Sequence, residues 1–404
     1  MAVKIVPSEL EVRTHIWTIV GLFVIWEGDM LPPQERLSQR ELQRRYDAVR
    51  AKMKERGFEF LLVSGIRFVA ATGYLRYLTN WAEPFGGEVL IFPLNGAPTF
   101  LARTGERSLL LKQFLGIDSM TGSTGAHAAA VLRHTGVRRV GLCGLKTMVA
   151  EFYVQLTQAL PGVEFVEASD ILDEARWIKS EEELGWIRKS AELTDVALQV
   201  FASLVRPGRR EDEVFVEVEH AMKQRGAETT YFMMSADPKP VAKFLDLASD
   251  TYKPGDVVLF NAEVQGPGGY YTQLERTLYL GAPTEEVKAA YGVVLEAEQR
   301  ALAILRPGTK AKEVHRAIVR AIEESGHKMG LHPGHSQGLD IFERPLLDAK
   351  EEAELAAGMI MVVHPHVLLS GGGGVWIGNT YLITEDGPRP LQKSPRDLLA
   401  IRDH

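Results

Sequence analysis

Four short stretches in the second half of the chain set polar side chains into otherwise apolar runs. They are Asn261, the segment Gly269 to Thr277 (GYYTQLERT), the segment Gly334 to Gly338 (GHSQG), and His364-Pro365-His366. Strand alternation around Gln273 puts Gln273 and Glu275 on one face, with Leu274 and Arg276 on the other. A carboxylate on a central strand, as Glu275 would be, needs a cationic or hydrogen-bonding partner to stay ionised. Its plainer reading is a pairing with Arg276 or another arginine. Four of the eleven histidines fall between His332 and His366. An imidazole titrates near neutrality and is the natural general base, so His335 and His364 are the candidates for proton transfer. Each also reads as a core imidazole bonded to backbone, and His332 and His366 read as structural or exposed.

The elements that must carry these groups are legible in part. Residues 38 to 56 interleave charged and apolar side chains at helical spacing, with Ser38 as N-cap. Phe58 to Ser64, Glu88 to Phe92 and Arg139 to Leu142 are short apolar runs that read as strands. Together they predict an α/β domain over residues 36–176, after an N-terminal arm over 1–35. Ser180, with Glu183 at the capping-box position, opens a long helix at the head of a second domain over 177–404.

That second domain repeats itself. Arg206-Pro207-Gly208 recurs as Arg306-Pro307-Gly308, and Glu213-Val214, Ala221 and Gly226 recur likewise 100 positions on. The strand Gly255 to Asn261 parallels Gly358 to His364, and Thr277 parallels Thr380, both 103 positions apart. Two helix–helix–hairpin units in tandem predict a pseudo-twofold domain with its pocket where the two sheets meet. His364 then enters that pocket opposite Asn261.

Composition narrows the function classes. Hydrophobic residues at 45% and charged residues at 25% describe a globular chain, and a net charge of -7 without a basic stripe excludes a nucleic-acid footprint. The single cysteine, Cys143, suits a reducing cytoplasm. The apolar run Ile16 to Trp26 is shorter than the roughly 20 residues of a spanning helix, so it reads as an arm that packs on the body or on a second subunit. No membrane partner is expected. The Gly371 to Gly374 run reads as a lid or a loose hairpin turn.

Taken in order, GDVVLF-x, GYYxxLxRT, GHSxGLDI, GMIMVV-x-P and GVWIGNTYLIT-EDG resemble the catalytic half of the creatinase/aminopeptidase P/Xaa-Pro dipeptidase family. The resemblance covers roughly residues 38 to 395. It implies an N-terminal RNase H-like creatinase domain (α/β), a C-terminal pita-bread domain (α+β) with an internal pseudo-twofold, and a homodimer. The family's metallopeptidases hold two metal ions with two Asp, one His and two Glu. Position by position these become Asn261, Gln273, His335, His364 and Gly378 here, and Phe342 replaces a catalytic histidine. Amide carbonyls carry no charge to offset two dications, so the resemblance implies no metal and no other cofactor.

The chain resembles creatinase at Asn261, at Tyr270-Tyr271-Thr272 with Leu274-Glu275-Arg276-Thr277, and at Gly334-His335-Ser336. In that template the glutamate of LERT binds a guanidinium. The chain departs from creatinase at His364, at Ser235 to Lys239, where no histidine stands, and near Phe85-Gly86-Gly87, where no arginine is in register; Arg344 matches a different arginine. The expectation is a metal-independent hydrolase cleaving a C–N bond of a small guanidine- or amidine-type compound. Glu275, His335 and His364 would be catalytic. Asn261, Tyr271, Gln273, Arg344, Phe85, Phe342 and His366 would bind substrate. A lyase or cyclase, a mononuclear metal enzyme on His335 and His364, and an inactive binding relative are the alternatives.

Overall fold

The computed structural model describes residues 19–20, 23–24, 37–65, 73–82, 86–238, 240–241, 250–330, 332–370 and 373–401. Phe85, Lys239, Gly371, Gly372 and most of the Ile16 to Trp26 run lie outside the described residues. In the N-terminal unit, β1 (Ile19–Val20) and β2 (Phe23–Val24) pair antiparallel. The unit over residues 37–404 holds everything else.

This unit opens with α1 (Gln39–Glu55), where Ser38 accepts a hydrogen bond from the Glu41 N–H and so caps the helix. There follow β3 (Phe60–Ser64), α2 (Gly73–Thr79), β4 (Val89–Pro93), β5 (Thr99–Ala102), α3 (Gly105–Leu110) and β6 (Ser119–Thr121). Then come α4 (Gly125–Arg133), β7 (Arg139–Cys143), α5 (Ala150–Ala159), β8 (Glu164–Glu167) and α6 (Ser169–Trp177). The six strands form one mixed sheet in the order β6-β5-β4-β3-β7-β8. Both faces of its central strands are covered, which is why they read as continuous apolar runs. Leu61, Val63, Leu90 and Phe92 join one core, while Leu62, Val89 and Ile91 join the other.

The second domain begins at α7 (Glu181–Leu204), whose Ser180–Glu183 capping box is closed in both directions. Its first half continues with α8 (Glu211–Gln224), β9 (Thr229–Asp237), β10 (Val257–Gln265) and β11 (Tyr271–Leu280). The second half repeats the plan with α9 (Glu285–Ile304), α10 (Ala311–Glu324), β12 (Gly334–Ser336), β13 (Glu343–Leu346) and β14 (Ile360–Val363). It adds β15 (His366–Leu368), β16 (Gly374–Trp376), β17 (Asn379–Thr384) and β18 (Gly387–Pro390), and the chain closes with β19 (Leu399–Ile401). The two main sheets run β19-β11-β10-β9 and β13-β12-β14-β17-β18.

The internal repeat is structural. Gly208 and Gly308 take the left-handed conformation at φ +87° and +85°, each turning the chain between paired helices where a side chain would be strained. On β10 and β11, Val258, Phe260, Ala262, Leu274 and Leu278 pack into a core with α7 and α8, leaving the odd-numbered positions for the other face. That face meets the second sheet. Glu275 and Gly378 exchange backbone hydrogen bonds of 2.9 and 3.0 Å, and the Thr380 hydroxyl bridges the Gln273 backbone at 3.0 Å. Among the described residues no helix is long and apolar enough to cross a membrane. The architecture is the expected one: a creatinase-type N-terminal domain followed by a pita-bread domain.

Candidate active site

The seam between the two sheets carries the polar side chains. On β10 and β11 the cross-strand pairs are Asn261 with Glu275 and Glu263 with Gln273, so four polar residues tile one face. Asn261 donates to Glu263 Oε1 at 3.0 Å, and Gln273 donates to Glu275 Oε1 at 2.9 Å. All four are at most 3% exposed. Burial pushes the Glu275 carboxyl up to about 8, and the neighbouring Glu263 adds to that while Gln273 opposes it. Burial likewise pushes Glu263 up to about 7 against the Asn261 hydrogen bond.

The second sheet faces this patch with imidazoles. His335 sits on β12, with Nε2 3.1 Å from Gln273 Oε1 and Nδ1 2.9 Å from the Ser336 carbonyl. A hydrogen-bond chain therefore runs from Glu275 through Gln273 to His335. The His364 ring centroid lies 5.4 Å from that of His335 and 4.9 Å from that of His332. Among the described residues neither ring nitrogen of His364 has a partner. Burial holds His335 down at about 3, and burial with the adjacent imidazoles holds His364 well below the usual range. Both rings are neutral at physiological pH.

A backbone carbonyl can only accept, so Nδ1 of neutral His335 carries its proton and Nε2 accepts. An amide keeps its shape when turned, so Gln273 can present its NH2 to Nε2 and its oxygen to a protonated Glu275. The raised Glu275 and the depressed His335 favour that arrangement. The alternative, with Gln273 oxygen facing Nε2, needs a proton on both His335 nitrogens and so a buried imidazolium.

The Phe342 ring lies 4.4 Å from that of His335, tilted by 53°, and with exposed His332 it forms the open edge of the site. Its loop is clamped from the end of α6 and the turn that follows it: Arg176 reaches Asp340 at 2.9 Å and Glu343 at 2.8 Å, and Lys179 reaches Glu343 at 3.0 Å. The structure thus brings together Asn261, Gln273, Glu275, His335, His364 and Phe342. The plainer reading, a pairing of the Glu275 carboxylate with Arg276, is not what is seen: Arg276 donates to the Glu275 backbone carbonyl at 2.7 Å and not to its carboxylate. Arg276 turns away to the carbonyls of Gly378, Ser394 and Pro395 and to Asn379 Oδ1.

Other expectations need correction. Arg344 alternates outward along β13 and is held by Glu351 at 2.8 Å, so it does not reach the seam. Tyr271 stands at the mouth of β11, where its backbone N–H donates to the Gly338 carbonyl at 2.7 Å. His366 lies beyond the break at Pro365, between Gly330 and Gly374 and 5.7 Å from the Trp376 ring. His332, read as structural or exposed, is exposed but belongs to the imidazole group. Glu263 was missed, although counting two residues on from Asn261 along the strand places it on the same face. A cavity of about 350 Å³ lies in the N-terminal domain beside Ser64, Arg103 and Phe152, and none of the candidate residues lines it.

This two-sheet site sits inside a match to the metallopeptidase family M24, which covers residues 185–385. The creatinase/prolidase N-terminal domain matches residues 45–178. The Xaa-Pro dipeptidase of Pyrococcus furiosus is 35% identical over 240 residues, 58% of this chain and 69% of that protein. This chain belongs to family M24. An uncharacterized peptidase of Bacillus subtilis, YqhT, is 28% identical over 351 residues, 85% of this chain and 98% of that protein. The Pyrococcus horikoshii prolidase structure superposes with a TM-score of 0.79 at 24% identity, over 88% of this chain and 99% of that one. Dipeptidase PepE from Mycobacterium ulcerans gives 0.80 at 24% identity, over 91% and 100%.

Membership in this hydrolase family corrects the earlier reading. The expectation of a metal-independent, creatinase-like hydrolase of a non-peptide C–N bond is overturned, because the M24 relatives are named Xaa-Pro dipeptidases. The M24 name implies metal, and the residues present do not fit the family's metal pair. The five matching positions offer two amides, two imidazoles and no side chain at Gly378. A Cβ at Gly378 would lie 2.9 Å from Glu275 Cβ and Cγ, so Glu275 occupies the space a side chain there would need. Among the described residues no group of three or more His, Cys, Asp or Glu could hold a metal ion. On the four-residue tile the acids stand on one diagonal, Glu263 and Glu275, while the family's aspartate positions fall on the amide diagonal, Asn261 and Gln273.

Proposed function

We propose that the chain hydrolyses the peptide bond of a small dipeptide, of the Xaa-Pro kind that its relatives' names specify. The observation that carries this reading is the M24 match over residues 185–385, which holds every strand that bears a site residue, together with the 35% identity to a named Xaa-Pro dipeptidase. The chemistry is derived from the side chains alone. Peptide hydrolysis must take a proton from the attacking water and return one to the departing nitrogen. A prolyl nitrogen has no N–H of its own in the peptide, so it leaves as an amine only when a proton is delivered to it.

His364 suits both steps. Its ring is neutral and both nitrogens are unpartnered, so one can accept the water proton. The burial that depresses its pKa also makes the imidazolium a ready donor to the leaving nitrogen. His335, tied to Ser336 and Gln273, holds one side of the imidazole group fixed. Glu275, at the other end of that chain, sets the charge of the patch the substrate meets. Phe342 and His332 form the rim. The test is release of free proline from Ala-Pro, Gly-Pro and non-prolyl control dipeptides by the full-length protein, as purified and with added manganese. Proline release supports the reading, and failure to cleave any dipeptide under either condition overturns it.

A further inference from the structure

Three buried oxygens on the β10–β11 tile find no hydrogen-bond donor among the described residues: Asn261 Oδ1, Glu263 Oε2 and Glu275 Oε2. Their residues are 0%, 2% and 2% exposed and share one sheet face, Asn261 being the cross-strand partner of Glu275 and two residues before Glu263. The other oxygen of each carboxyl is already served, Glu263 Oε1 by Asn261 and Glu275 Oε1 by Gln273. What the patch needs is donors. Each buried acceptor left without one costs about 1–3 kcal/mol, so three on neighbouring residues describe a ligand in negative. Arg276, the next residue in the chain, spends its guanidinium elsewhere.

We propose that Asn261, Glu263 and Glu275 form a three-oxygen clamp for a primary ammonium group, and that it seats the free amino terminus of the dipeptide. The inference rests on the dipeptidase reading and adds to it a specificity residue, Glu263. A primary ammonium carries three N–H donors in a tetrahedral spread, one for each orphaned oxygen, and its charge draws Glu263 and Glu275, which burial by itself holds toward the neutral form, into their ionised form. A planar guanidinium brings five donors in a fork and overfills the set. A hard divalent ion such as Mg2+ or Ca2+ asks for six or more oxygens, and the tile offers two carboxyls and one amide. An acylated amino terminus brings one donor and no charge, so it leaves two acceptors buried and unpaired. Sites built to bond a polar group reject analogues lacking it by large factors, so the clamp restricts the enzyme to substrates with a free amino end.

The experiment is calorimetric titration of the full-length protein with L-alaninamide and with N-acetyl-L-alaninamide, in wild type and Glu263→Gln, alongside steady-state kinetics on Ala-Pro and N-acetyl-Ala-Pro. The clamp requires that L-alaninamide bind and the acetylated probe not. Glu263→Gln should weaken L-alaninamide by about tenfold to a hundredfold, the size of one charge-assisted hydrogen bond, and should raise KM for Ala-Pro far more than it lowers kcat. Equal binding of the two probes, or unchanged affinity in Glu263→Gln, overturns it. So does stoichiometric manganese binding that competes with L-alaninamide and is lost in the variant. If the variant does not fold, the two probes on wild type decide. The two readings fail differently. Without a dipeptidase no dipeptide turns over while L-alaninamide still binds; without a clamp N-acetyl-Ala-Pro is cleaved as well as Ala-Pro.

Discussion

The two halves of the pita-bread domain share one plan and were given opposite chemistry. Stepping 103 positions along the sequence carries Asn261 to His364, Glu263 to His366 and Glu275 to Gly378. The first half therefore offers acids and amides, and the second offers imidazoles. The backbone diverges with them. β10 runs unbroken from Val257 to Gln265, and all nine of its residues are buried. Its counterpart stops at Val363, because Pro365 has no N–H to give a sheet ladder, and resumes as β15 in a separate two-stranded sheet. Glu263 thus stays in the seam, while His366 is carried out of it to pack against Trp376. A duplicated scaffold keeps its turns and helix pairs, and it diverges where single residues enter the shared pocket.

If proton transfer belongs to the second half, His364→Ala should lower kcat/KM for Ala-Pro by at least about a thousandfold while circular dichroism stays unchanged. Activity within tenfold of wild type would mean that the imidazole half is scaffolding. A smaller effect concerns the pair Glu275 and Gly378, which compete for one space. Gly378→Glu should cost on the order of 3 kcal/mol in denaturant unfolding through overpacking, and adding Glu275→Ala should recover more than half of it. Additive losses would show that the two positions do not share that space.

The smallest effect expected is on pH dependence. The Glu275 carboxyl is raised to about 8 in the folded chain, against about 4.5 for a free glutamate. Its neutral form is the one the fold favours, so its contribution is fully present below about pH 4.5 and is lost as pH rises through 8. Glu275→Gln should match wild type in stability near pH 5 and exceed it by on the order of 2 kcal/mol at pH 9. A gap that stays constant with pH would place a cation beside the carboxylate and sharpen the contrast between the halves in the other direction.

Local signals were legible wherever a residue's neighbours in sequence are also its neighbours in space. The Ser38 and Ser180 caps, the strand through Ser64, the second-domain repeat and the shared face of Gln273 and Glu275 all follow from spacing. Arg344 failed for the same reason. Its sequence context points toward the site, but the pleat of β13 turns it outward to Glu351.

By itself the sequence determined the helix pairs, the duplication and the polar character of the seam, because period and turn chemistry are local properties. Only the tertiary structure decided which polar atoms are left unpaired. Glu263 was an unremarked acid until the antiparallel register set it diagonal to Glu275. Gly378 was an empty position until Glu275 was found within 3.0 Å of where its side chain would be. Hydrogen-bond debt and excluded volume are properties of atoms far apart in the chain, and they exist only once the two sheets have closed on each other.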